Sequence, residues 1–181
     1  MGKGIIYDDL YRYEGKRTFG IFLRYFFFTP AFRYIYYFRR TQLASTLITR
    51  LFWKIMLRRC MMRTGIQIPA SCKIGPGFRI AHFGMMAVNP LATIGKNFNI
   101  HQGVSIGNAQ GRRAGAPQIG DNVSIHANAV LVGGITIGDD VLIAPNAFVN
   151  FDVPKGALVL GNPGRIIPRE NASAEYLVYT I

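Results

Sequence analysis

Three histidines are all the chain has for imidazole chemistry: His82, His101 and His126. A neutral imidazole near pH 7 can take a proton from an attacking hydroxyl, so each is a candidate general base. The two cysteines, Cys60 and Cys72, have no histidine or second cysteine beside them in sequence. They read as reduced thiols rather than as a zinc site or a catalytic nucleophile. Acids are as sparse: between Glu14 and Asp121 there is no Asp or Glu. A carboxylate that orients His82 must therefore come from the later coils, from the start of the chain or from another subunit.

What positions these residues is a repeat. In IGDNVSIHANAVLVGGITIGDDVLIAPNAFV, Ile119, Ile125, Leu131, Ile137, Ile143 and Val149 recur every sixth residue, a period of neither helix nor strand. The phase runs back through Ile106, Ile100, Ile94 and Val88 to Ile80, Ile74 and Ile68. Two residues before nearly every aliphatic stands a second apolar one, such as Phe78, Phe98, Val123 or Val141. Three such sides close one turn of a short-repeat parallel β-helix. Glycine or asparagine often follows the aliphatic (Gly75, Asn89, Gly95, Gly107, Gly120, Gly138), which we read as tolerance of unusual backbone angles at tight corners.

The phase breaks twice. Two extra residues stand between Ile80 and Val88, beside His82, and seven between Ile106 and Ile119, within GNAQGRRAGAPQ. Loops that leave a solenoid commonly carry function. Counting sides places all three histidines on one side of the triangle, as a column, with Gln67 ending that side one coil earlier.

Charge divides the chain. Residues 1–64 hold thirteen Lys/Arg against three acids, and sixteen of the 23 aromatic residues; the rest holds eight basic residues against six acidic. The expected organisation is a helical, basic aromatic arm over 1–64, a coil over 65–168 and a tail over 169–181. Thr29 as N-cap, Pro30 in the first turn and Gly65 as stop predict one long helix. Along it Arg33, Arg39, Arg40, Arg50, Lys54 and Arg58 share one sector, opposite mainly apolar side chains. That pattern suits a helix lying in an anionic membrane interface. Arg24, Pro30 and Arg33 interrupt any spanning segment. Clustering of the rings with aliphatics disfavours nucleic acid, and no cleavable signal pattern precedes residue 20. The expected location is the cytoplasm, peripheral on the inner face of the cell membrane.

TGIQIPASCKIGPGFRIAHFG, VNPLATIGKNFNIHQGVSIG, the repeat block and the ending VPKGALVLGNPGRII resemble the acyltransferase domain of serine acetyltransferases. Among these they are most similar to the sugar O-acetyltransferases of bacterial polysaccharide gene clusters. The resemblance implies a mainly β protein with a left-handed parallel β-helix, and acetyl-CoA as cosubstrate with no metal. It also implies a homotrimer, which further pairing could make a dimer of trimers. His82 falls on the family's catalytic histidine; His101 and Asn89, with Gln67, would line the acceptor. Donor positions correspond to Gly107, Asn108, Ala109, Ala127 and Pro145, with Arg113, Arg112, Lys155 and Arg165 as phosphate partners. The serine enzymes carry Asp where this chain has Gln67, and a second His where it has Ala116-Pro117. Those departures favour a sugar hydroxyl, of a surface polysaccharide or its lipid-linked oligosaccharide precursor, over serine. Serine O-acetylation and a γ-carbonic-anhydrase-like metalloprotein are the alternatives. The latter's metal site has a close pair of histidines, unlike the spacings here.

Overall fold

The computed structural model describes residues 2–181, with side chains from residue 4 onward. Four helices come first: α1 (Gly2–Glu14), α2 (Phe19–Phe28), α3 (Pro30–Leu43) and α4 (Leu47–Thr64). The coil follows, turn by turn. The first turn is β1 (Ile66–Gln67), β2 (Lys73–Ile74) and β3 (Arg79–Ile80); the second is β4 (Met86–Val88), β5 (Thr93–Ile94) and β6 (Asn99–Ile100). The third is β7 (Ser105–Gly107), β8 (Gln118–Ile119) and β9 (Ser124–Ile125); the fourth is β10 (Val130–Val132), β11 (Thr136–Ile137) and β12 (Leu142–Ile143). β13 (Phe148–Val149) and β14 (Leu158–Leu160) make the last turn, and β15 (Arg165–Ile167) folds back antiparallel on β14.

Stacking the turns produces three flat faces. Face A is β1-β4-β7-β10-β13, face B is β2-β5-β8-β11, and face C is β3-β6-β9-β12-β14-β15. Every aliphatic of the six-residue phase, from Ile68 to Val149, is buried, as are its inward partners Phe78, Phe98, Val123 and Val141. The interior is thus filled by the repeat itself.

The glycines have a different reason from the one read in sequence. Gly75, Gly95, Gly120 and Gly138 are not in left-handed backbone; each presses on the next turn. A Cβ on Gly75 would stand 2.7 Å from the carbonyl carbon of Gly95, and one on Gly95 2.7 Å from that of Gly120. Left-handed residues instead occupy the C-to-A corner, at Gly103, Asn128 and Asn146, and the B-to-C corner, at Gly77, Asn97, Asn122, Asp140 and Gly156. Asn97 Nδ2 donates to Asn122 Oδ1 and Asn122 Nδ2 to Asp140 Oδ1, both at 2.9 Å, tying this corner from turn to turn.

The single long helix is corrected to two. The chain breaks at 44–46, where Thr46 caps α4 by accepting from the Thr49 N–H at 3.2 Å. Gly65 ends α4 in left-handed backbone (φ 73°), as expected, whereas Thr29 makes no side-chain cap and Pro30 opens α3. Because α3 and α4 are separate helices, the arginine sector does not survive as one face. Arg39 in particular is buried.

Arg39 belongs to a set of helix side chains that meets the open edge of the first turn. It pairs with Asp9 of α1 at 2.7 Å and donates to Ile74 O at 2.7 Å and Gly75 O at 2.6 Å. Asp9 in turn accepts from the Phe78 N–H at 2.8 Å. Tyr34 OH donates to Ile68 O and accepts from its N–H, at 2.9 and 3.0 Å. Tyr13 OH does the same at Ile80, at 3.0 and 3.3 Å. Gln42 donates to Ala70 O and Cys72 O, and Arg12 to Gly77 O. Burial pushes the Asp9 carboxyl up to about 6, while the Arg39 guanidinium and the Phe78 and Gly77 amides hold it from rising further.

Removing one partner of this pair strands a charge in a dry site. Arg39→Ala is therefore expected to lower unfolding free energy by about 3–5 kcal/mol, against about 1 kcal/mol or less for the half-exposed Arg40→Ala. Urea denaturation of the two variants checks this.

Candidate active site

The corner from face C to face A gathers the three histidines. His101 directly follows β6 and His126 directly follows β9; His82 lies one residue farther past β3, because the first break in the repeat displaces it. Register makes the alignment, since Ile80, Ile100 and Ile125 are neighbours across the three strands. Ring centroids are 5.7 Å apart for His82 and His101 and 4.4 Å for His101 and His126, the latter pair stacked with planes at 22°. Stacked rings do not converge their nitrogens on one point. His82 is exposed, while its two neighbours are half-buried.

Burial first, then the neighbouring His126 and His82 rings and the Arg79 guanidinium, hold His101 down at about 4. Burial lowers His126 as well. His101 is therefore neutral at pH 7 and presents His82 with an uncharged, polar neighbour. The acids at the start of the chain are engaged elsewhere: Asp8 pairs with Arg17, Asp9 with Arg39 and Glu14 with Arg24. Both cysteines are buried, and burial pushes the Cys72 thiol up to about 11, away from a thiolate.

Gln67 stands at the far end of the side that opens at the histidine corner. It lies exposed in β1 on face A, in register with Ala87. Asn89 is also away from the column: it follows β4 at the A-to-B corner, where its Nδ2 donates to Asn108 Oδ1 at 3.0 Å. Gly107, Asn108 and Ala109 begin the second break, which Ala109 and Gly115 close with paired backbone bonds of 2.9 and 3.0 Å around a short 3-10 turn, Gly111–Arg113. Beside it, a cleft of about 560 Å³ is bounded by Ala109, Arg112, Arg113 and Asn150. Ala127 and Pro145 stand at the C-to-A corner, one turn apart. Lys155 is at the B-to-C corner and Arg165 in β15. The expected donor residues thus sit on different corners of one chain and do not form one groove within it. Arg113 lies 3.4 Å from the exposed Asp152 and Lys155 3.4 Å from the largely buried Asp140, so both cations have an acidic neighbour.

One participant had no sequence signal. Tyr176, in the tail beyond the repeat, meets His126 edge-on at 4.7 Å. With Arg169, Asn171 and Glu175 it bounds a cavity of about 300 Å³ against face C. The tail is pinned there by Ser173 Oγ donating to Asn122 O at 2.7 Å and Asn99 Nδ2 donating to Tyr176 O at 3.0 Å.

Comparison with known proteins agrees with this geometry. Residues 116–150 match the family described as bacterial transferase hexapeptide (six repeats). A serine acetyltransferase of Staphylococcus aureus (strain Mu50) is 39% identical over 109 residues, which are 59% of this chain and 51% of that protein. The chain therefore spans about half the length of the curated relatives it matches. The solved Neisseria gonorrhoeae serine acetyltransferase in complex with serine superposes with a TM-score of 0.75 at 26% identity, covering 92% of this chain and 69% of that one. A serine acetyltransferase in complex with CoA superposes with a TM-score of 0.75 at 22% identity, over 92% and 69% of the two chains. The fold is accordingly the left-handed β-helix with a helical N-terminal region. These relatives are of serine acetyltransferase type and give no support to the polysaccharide acceptor expected from sequence.

His101 gives a pH prediction. Its pKa is depressed in the folded state, so the unfolded chain binds the extra proton first, and the stability it contributes is lost as pH falls from 6.5 through about 4. The stability difference between wild type and His101→Gln should shrink over that window. Histidine NMR resonances should show His101 titrating near 4.

Proposed function

We propose that this protein is an acetyl-CoA-dependent O-acetyltransferase with His82 as general base. The observation that carries the reading is an exposed imidazole, backed by a neutral one, at a corner of a hexapeptide coil whose relatives are serine acetyltransferases. His82 takes the proton of the acceptor hydroxyl as its oxygen attacks the thioester carbonyl carbon. A new C–O bond forms, the C–S bond breaks, and the proton passes from the imidazolium to the departing CoA sulfur.

Because the donor-side residues occupy different corners, a groove holding them draws on two copies of the chain, which supports a homotrimer. In that groove Gly107, Asn108 and Ala109 offer backbone groups to pantetheine, while Arg113 and Arg165 offer charge to its phosphates. The acceptor favoured by the relatives is serine. A second reading, a sugar hydroxyl, is favoured by one observation: exposed Gln67 and the Ala116-Pro117 pair offer no charge to a substrate ammonium group.

Thiol release from acetyl-CoA, measured with serine and with a panel of free and lipid-linked sugars, tests both. With the preferred acceptor, His82→Ala is expected to lower kcat by about 10²–10⁴ while leaving the KM for acetyl-CoA within a small factor. Turnover with sugars and not serine moves the acceptor to the second reading. An enzyme that neither releases thiol nor binds CoA, or full activity in His82→Ala, overturns the proposal.

A further inference from the structure

α4 is amphipathic in an inverted sense. Its inward face, Leu57, Cys60 and Thr64, packs on α3 and β1. Its outward face is not polar: Leu47, Ile48 and Met62 are 80%, 82% and 78% exposed, with Leu51 and Ile55 about half exposed between them. At 100° per residue these five fall in one stripe along the helix. Cations line both sides of it.

On one side stand Arg50, Lys54 and Arg58. Beneath them opens a groove of about 730 Å³ between α4 and the first turn, floored by Leu57, Met61, Ile68 and Pro69. On the other side Arg59 and Arg63 join Arg33 of α3 around a smaller cavity of about 200 Å³. Among the described residues none of these six cations has an acidic partner, because the three acids of the helical region are held by Arg17, Arg24 and Arg39. An apolar ridge between two unneutralised cation rows, each bordering space for part of an amphiphile, is the complement of a surface with anionic headgroups over hydrocarbon.

We propose that the outward face of α4 seats on an anionic lipid bilayer. A second copy fits it poorly, since residues 1–64 carry a net charge of +10 (thirteen basic, three acidic) and facing copies would set like charges against each other. The contact is a surface one: among the described residues no helix is long and apolar enough to cross a membrane. Exposed Phe19, Phe27 and Phe28 of α2 add rings to the same helical layer, linked to α4 through Phe26, Tyr36 and Trp53. The proposal does not rest on the acetyltransferase reading, and its test needs no activity.

The experiment is vesicle cosedimentation of the full chain, with phosphatidylcholine alone and with added phosphatidylglycerol. Wild type is expected to sediment with the anionic vesicles at ~0.1 M salt and to be released as salt rises. Leu51→Ser/Ile55→Ser and Lys54→Gln/Arg58→Gln/Arg59→Gln/Arg63→Gln should each lower partitioning on the order of tenfold or more. All six side chains are exposed and none makes the bonds that cap the coil, so thermal melts should match wild type. Wild type remaining in the supernatant, or variants sedimenting like wild type, overturns the proposal. So does a larger oligomer that Leu51→Ser/Ile55→Ser splits without any vesicle binding, which would assign the ridge to a second copy.

Discussion

A parallel coil has an open first turn, and closing it is the constraint on which the rest of this structure depends. Every later turn finds its backbone partners in the turn before, but residues 66–80 have none on that side. Buried amides and carbonyls left unpaired would each cost about 1–3 kcal/mol. They would also offer an edge to any passing strand. Helices α1 and α3 meet this edge with side chains rather than with a strand, because helix backbone groups are already spent internally. Tyr34, Gln42, Arg39, Arg12, Asp9 and Tyr13 take the edge in chain order from Ile68 to Ile80. The Asp9–Arg39 pair is tolerable in the dry interior because both charges find backbone groups as well as each other.

That cap reaches the histidine column through register. Once the first turn is fixed, glycines that allow neighbouring turns to touch and the Asn97–Asn122–Asp140 ladder hold the turns in step. The C-terminal tail lies along the same corner and ends on it, Ile181 N–H donating to Asn97 Oδ1 at 2.9 Å. Arg12 donates both to Asn99 Oδ1 at 2.8 Å and to Val178 O, so one guanidinium joins helix, coil and tail. Two residues of extra length then separate His82 from its neighbours in kind. His101 and His126 are stacked, half-buried and depressed in basicity, whereas His82 stands clear of the coil.

The helical region divides its charges between two jobs. Arg12 and Arg39 are structural, desolvated and satisfied by carbonyls; the cations of α4 face outward without acids near them. Composition cannot distinguish these uses, since both sets are arginines among aromatic and aliphatic residues on helices. The same holds for apolar side chains: α3 buries Ala31, Ile35 and Phe38, while α4 leaves its outer stripe uncovered.

What the amino-acid sequence determined by itself was the coil. A six-residue period with two inward side chains per side specifies three faces, and neighbouring turns contact each other locally, so thirteen buried aliphatics and the placing of three histidines at one corner followed from counting. The glycines were legible as positions but not in their cause, which is backbone approach between turns and not left-handed geometry. The repeat places Gln67 at the end of the side that the histidines open but not how far it stands from them, because it does not say where a corner stops and a strand begins. The break at 44–46, the burial of Arg39 and the fold-back of the tail that sets Tyr176 against His126 were decided only by tertiary structure. Those features join residues far apart without any repeat, 30 positions for Arg39 with Asp9 and 166 for Arg12 with Val178. Such contacts are fixed by the need to satisfy one open edge and cover one face, a need that appears only once the coil exists.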